Sequence, residues 1–169
     1  MSNERMATHL HPAMLQSVDA YRTLLKQTSL GQYSRATCLI HVNIDHLRRY
    51  NDQNGALVGD RLIQTLITCI TQIIQAKSGM AYHLGGDTFA ILHPTAEQGF
   101  QVATALMTQL ALLPLGRYTY DTCTPWRPVS VSIGYATGAP TIAALDEGAT
   151  QALVKAKRIG GNCIVPTTP

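Results

Sequence analysis

The chain has 169 residues, 46% of them hydrophobic and only 14% charged, with 13 Lys and Arg against 10 Asp and Glu for a formal charge of +3. That length and apolar content suit one domain with its own core and exclude general disorder. The basic residues are too few and too scattered for a dedicated nucleic-acid or membrane-surface protein.

Residues 1–35 read as a leader and a helix over 12–26, with Met14, Leu15, Val18, Tyr21, Leu24 and Leu25 on one side. The start, Met1-Ser2-Asn3-Glu4-Arg5, lacks the apolar core of a secretion signal, which favours a cytoplasmic protein. The apolar run over 36–44 predicts a strand buried on both faces. A helical turn and a loop over 51–55 follow, then a helix over 60–77 with Leu62, Ile63, Leu66, Ile67, Ile70, Ile73 and Ile74 at helical period. No run reaches the roughly 18 consecutive apolar residues of a spanning helix. Short strands over 80–84 and 88–92, joined through Gly85-Gly86-Asp87, predict a hairpin.

Thr95-Ala96-Glu97-Gln98 has the form of a capping box before a helix carrying Ala103, Leu106, Met107, Leu110 and Leu113. A short strand over 117–120, a loop over 121–128 and a period-two strand over 129–135 come next. A helix over 142–158 and a strand over 163–165 close the chain. The order β-α-α-β-β-α-β-α-β, with a hairpin in the middle, predicts an α+β fold with a partly antiparallel sheet. Cys38, Cys69, Cys123 and Cys163 are far apart and read as free thiols. His41 and His83 fall on strands that could be neighbours, but no ligand spacing supports a metal site there.

Three clusters carry the candidate chemistry. The first runs from Asn43 through Asp45, Arg48, Asn51 and Asp52 to Gly59-Asp60; the second is Gly85-Gly86-Asp87-Thr88-Phe89; the third is Ala156-Lys157-Arg158-Ile159-Gly160-Gly161-Asn162. Singly, each residue has a plain structural use. Asp60 would complement a helix N-terminus, Asn51 a loop, Gly85-Gly86 a turn, and Lys157 would be a solvated side chain. Together, in this order, they resemble the GGDEF family, nucleotide-cyclase-like domains that condense two GTP into cyclic di-GMP. The resemblance covers about residues 36–165 and implies a ferredoxin-like palm, a mixed sheet with flanking helices.

In that reaction a 3′-hydroxyl attacks an α-phosphate and pyrophosphate leaves, which calls for a divalent metal held by carboxylates. The resemblance places Asn43, Asp87 and Thr88 at the metal positions. Only Asp87 is a carboxylate; Asn43 offers a neutral carbonyl oxygen, and Thr88 puts a hydroxyl where the family has an acid. Mg2+ with GTP is expected to bind weakly, and no catalytic residue beyond the Asp87 remnant carries over.

The nucleotide-binding positions are better kept. The resemblance assigns Asn51 and Asp60 to the guanine edge, Gly85 and Gly86 to close approach of phosphates, and Lys157 to a phosphate. Arg48 stands for another lysine, whereas Gly161 replaces a phosphate-binding arginine. Ala76-Lys77-Ser78-Gly79 lacks both charged ends of the family's Arg-x-x-Asp inhibitory motif, so no inhibitory site is expected. Thr8 and Leu10 read as remnants of the family's N-terminal stretch.

The expectation is a degenerate, catalytically inactive GGDEF-like regulatory module in cyclic di-GMP signalling, acting by GTP binding without turnover or by protein-protein contact. A weak homodimeric diguanylate cyclase and a cyclic di-GMP receptor at a non-standard site remain as alternatives. The implied partners are a signalling protein or an EAL or sensor domain, with no nucleic acid and no membrane. The expected organisation is a leader and helix over 1–35, the GGDEF-like domain over 36–165 and a tail over 166–169.

Overall fold

The computed structural model describes residues 15–26, 37–113, 115–119, 123 and 125–167. Thr8, Leu10, Met14 and the expected first turn of the leader helix lie outside them. The central strand is β1 (Cys38–Ile44), whose apolar run is buried at every position, as a strand covered on both faces requires. Its antiparallel neighbours are β3 (Thr88–His93) and β6 (Val131–Thr137). Outside these lie β2 (Met80–Gly85), antiparallel to β3, and β7 (Ile164–Pro166), parallel to β6, giving the order β2-β3-β1-β6-β7. The sheet is therefore mixed, with the hairpin at one edge.

Helices α3 (Ala56–Lys77) and α4 (Ala96–Leu112) cover one face, where Leu66, Ile70 and Leu106 pack with Ile40, Phe89 and Ile133. By length and composition α3 could cross a membrane, yet its Leu66 and Ile70 are fully committed to this core. The other face is covered by α1 (Val18–Leu25) and α5 (Ile142–Arg158), which bring Tyr21, Leu24, Leu145 and Ala149 onto Leu39, Tyr82 and Ala90. The Ser17 side chain caps α1 by accepting from the Ala20 N–H. Just before it, Gln16 pairs with the free edge of β2: its N–H donates to Ala81 O at 2.8 Å, and the His83 N–H donates to Gln16 O at 2.9 Å.

Several local expectations need correction. The segment read as a loop over 51–55 is the end of a helix, α2 (Leu47–Asn54), and only Gly55, at φ +90°, separates it from α3. A glycine at positive φ stops one helix and starts the next without a linker. Helix α3 thus begins four residues before Asp60, which lies beyond the first turn and does not cap it. Thr95 makes no side-chain cap; its N–H donates to His93 Nδ1 at 3.2 Å. Of the strand expected over 117–120, Arg117–Tyr118 form the two-residue β4, paired with β5 (Arg127–Pro128) inside the expected loop, and Tyr120 lies outside the described residues.

Strand β6 begins later than expected and is buried on both faces. Its apparent polar face is a small-residue face: a Cβ on Gly134 would lie 2.1 Å from Ala149 O and 2.4 Å from Leu153 N, so α5 rests directly on the strand. His41 and His83 are not neighbours either, because β3 runs between their strands. The His83 ring stacks on Phe89 and its Nε2–H reaches Gly86 O at 2.9 Å, whereas His41 meets Tyr21 and Asp146.

Candidate functional site

The register of the sheet assembles the site. Asn43 stands directly opposite Thr88 on β3 and Ser132 on β6. The turn from β2 to β3 needs positive φ at Gly85 (+118°) and Gly86 (+55°), and the space where their side chains would be is open. That turn carries Asp87 beside Asn43. The Asn43 Nδ2 donates to Asp87 Oδ1 at 2.8 Å and to Thr88 Oγ1 at 2.8 Å. The Thr88 hydroxyl in turn donates to Asp87 Oδ1 at 3.3 Å. From the last turn of α5, the Lys157 ammonium donates to Asn43 Oδ1. Asn43, Asp87, Thr88 and Lys157 therefore form one closed network around a nearly buried amide.

The orientation of that amide decides the chemistry. Its oxygen faces an ammonium and both of its N–H groups face oxygen acceptors, so a cation seeking oxygen ligands would meet N–H donors. Among the described residues, no group of three or more His, Cys, Asp or Glu side chains is placed to hold a metal ion. The side chains at the family's metal positions do not fit a divalent cation in this arrangement.

Two residues beyond Asn43, Asp45 belongs to the first candidate cluster but has no role in the family resemblance; it is 3% exposed. Its carboxylate accepts from Ser132 Oγ at 2.6 Å, Ser130 Oγ at 2.7 Å and the Asn162 N–H at 2.9 Å. These three donors give the buried charge strong hydrogen bonds. They also dock the Gly160-Gly161-Asn162 loop onto the end of β1. Gly161, at φ +74°, lies so near that an added Cβ would stand 2.8 Å from Asp45 Oδ2. The only sequence signal for this role is an acid two residues after Asn43, just past the end of the strand.

Asn51, Asp60 and Arg48 lie on α2 and α3, which leave β1 just beyond Asn43. Gly59 lets the two helices meet: a Cβ there would fall 1.8 Å from Asn51 Oδ1. The Asn51 Oδ1 is buried and, among the described residues, has no hydrogen-bond partner. Asp60 and Arg48 are exposed. Hydrogen bonds thus unite Asn43, Asp87, Thr88 and Lys157, while Asn51, Asp60 and Arg48 form a separate group on the helical side. The Ala76–Gly79 stretch is the turn from α3 into β2, where the Lys77 carbonyl holds His93 Nε2 at 3.0 Å.

The family model described as diguanylate cyclase, GGDEF domain, matches residues 19–163. The chain is 31% identical over 124 residues to diguanylate cyclase DgcP of Pseudomonas aeruginosa, covering 70% of this chain and 17% of that protein. It is 27% identical over 153 residues to the uncharacterized protein YhcK of Bacillus subtilis, covering 83% of this chain and 41% of that one. The chain therefore spans less than half the length of these curated relatives. Its fold matches the crystal structure of the GGDEF domain of DgcB from Caulobacter crescentus in complex with c-di-GMP at a TM-score of 0.71 and 26% identity, covering 95% of this chain and 96% of that one.

Proposed function

The chain belongs to the GGDEF domain family, and we propose that it is a catalytically inactive member: a cytoplasmic regulatory module of cyclic di-GMP signalling that holds GTP without turning it over or offers a surface to a signalling partner. One observation carries this reading. The Asn43 amide bonds Asp87, Thr88 and Lys157 in the place where the family's chemistry needs carboxylates around a dication. Phosphoryl transfer depends on positioning and on neutralising the charge that moves to the leaving group. With one carboxylate, hydrogen-bonded to an amide and a hydroxyl, that neutralisation has no platform.

The guanine end supports retained binding. The Asn51 Oδ1, buried against Gly59 and without a partner among the described residues, would accept from the guanine N1–H and N2–H once its amide turns outward. The exposed Asp60 carboxylate adds acceptors of the same kind. Arg48, Gly85, Gly86 and Lys157 complete the proposed nucleotide-binding set. The expected division into a helix-bearing leader, the 36–165 domain and a short tail is kept in this proposal, with an EAL or sensor domain as the neighbour that longer relatives would supply. Equilibrium dialysis with labelled GTP, followed by chromatography of the recovered nucleotide, tests the reading. Retained and chemically unchanged GTP is the expected result; steady conversion to cyclic di-GMP rejects it.

The retained Asp87 carboxylate favours one second reading, a weak cyclase. It would require a homodimer with one GTP per subunit, so turnover rising with protein concentration would support it.

A further inference from the structure

We propose that the nucleotide site of this chain works without a divalent cation and favours a short phosphate chain, taking guanosine monophosphate or diphosphate at least as well as the magnesium-bound triphosphate. This rests on the nucleotide-binding reading above and narrows its ligand.

The phosphate end is already internally satisfied. Both N–H groups and the oxygen of Asn43 are engaged, by Asp87, Thr88 and Lys157. To offer its oxygen to a cation, the amide would have to leave the ammonium and give up its bonds to Asp87 and Thr88. Lys157 also places a fixed positive charge beside Asn43, which repels a dication directly. Gly161 contributes no side chain and packs against Asp45. Each further phosphate brings about one more negative charge toward this end, with no metal to meet it and only Arg48 and Lys157 as cations of the proposed set.

The groups aimed outward favour the other end of the ligand. The exposed Asp60 carboxylate offers acceptors to a base edge, and the open space over Gly85 and Gly86 leaves room for a phosphate close to β1. Recognition is therefore concentrated on the base and the first phosphate.

Calorimetric titration of the protein with GMP, GDP and GTP, each in EDTA and in excess MgCl2, tests the proposal. Binding in EDTA is expected, with GMP as tight as GTP or tighter and with less than about a threefold change in GTP affinity on adding Mg2+. A gain of about tenfold or more for GTP with Mg2+ would overturn it and leave the nucleotide-binding reading standing. Binding of none of the three nucleotides would overturn both, leaving only the protein-surface form of the proposed function. A second measurement uses Mg2+ alone: Asn43→Asp sets a carboxylate against Asp87, so Mg2+ should raise the thermal midpoint of this variant and leave that of the parent protein unmoved. A parent midpoint that rises as much as the variant's would contradict the proposal.

Discussion

The amide nitrogen of Asn43 lies 2.8 Å from Asp87 Oδ1, so a hydrogen-bond donor, not a second carboxylate, faces the acid at the hairpin tip. The contact joins the central strand to the β2–β3 turn, and Lys157 extends it to α5. A site arranged in this way is a structural brace as much as a binding surface.

Removing the brace has a measurable cost. Asn43→Ala deprives Asp87, Thr88 and Lys157 of their shared partner, and because all three reach some solvent the loss should be about 1–2 kcal/mol. Urea unfolding checks it, with a lowered midpoint at unchanged slope; an unaltered midpoint would show that the network contributes nothing to stability.

Asp45 should be the more costly position. Its carboxylate is buried, and Asp45→Ala would strand two serine hydroxyls and the Asn162 N–H. A destabilisation of about 3 kcal/mol is expected in the same unfolding measurement. The Gly160–Asn162 loop should also exchange its amide hydrogens faster in the variant. Protection equal to that of the parent chain would argue that the loop does not depend on Asp45.

Strand β6 and helix α5 offer a steric test. In Gly134→Ala the new methyl meets backbone atoms of Ala149 and Leu153, which cannot rotate away, so the cost should be about 3 kcal/mol. A substitution tolerated without loss of thermal midpoint would mean that α5 sits farther from the sheet than described.

The pH dependence of stability should follow the cluster under α1. The Tyr21 hydroxyl donates to Asp146 Oδ1 at 2.5 Å and lies 3.0 Å from His41 Nε2, which itself is 2.9 Å from the same carboxylate oxygen. Burial alone would raise the Asp146 pKa, but the hydrogen bonds from His41 and Tyr21 outweigh it and hold it below the usual carboxylate value. Such a group stabilises the fold above its unfolded pKa of about 3.9, and the contribution fades as pH falls through the lower folded value. Burial, followed by the bond to Asp146, raises the Tyr21 phenol pKa. Its contribution is present below a pH of about 10 and fades only as the pH rises through the higher folded value. Thermal midpoints across the acid range should therefore fall less steeply for Asp146→Asn than for the parent chain. Parallel acid limbs would contradict this.

Much of the fold was legible because its signals are local. The apolar run of β1, the helical spacing from Leu62 to Ile74, and the paired glycines of the hairpin each announce their element within a few residues. Helix α2 was legible only as a helical turn: only Tyr50 of its eight residues is buried, and its polar end looks like a loop until Gly55 is seen to break the chain at positive φ. Ser132 and Gly134 mimic a solvent-facing strand side, whereas their smallness admits α5. Within the site, the family pattern located Asn43, Asp87 and Lys157, but the direction of the amide depends on a lysine 114 positions later and could not be read along the chain. The role of Asp45 was hidden for the same reason, since its serine donors lie 85 and 87 residues away.

The central claim is that the Asn43-centred network leaves the site without the carboxylates that turnover needs. The most direct measurement is the rate of cyclic di-GMP formation from GTP and Mg2+ by the protein and by Asn43→Asp/Thr88→Glu, followed chromatographically under identical conditions. The account predicts no product from the parent chain, with any turnover appearing only once both acids are restored. Sustained synthesis by the parent chain, unchanged in the double variant, would contradict it.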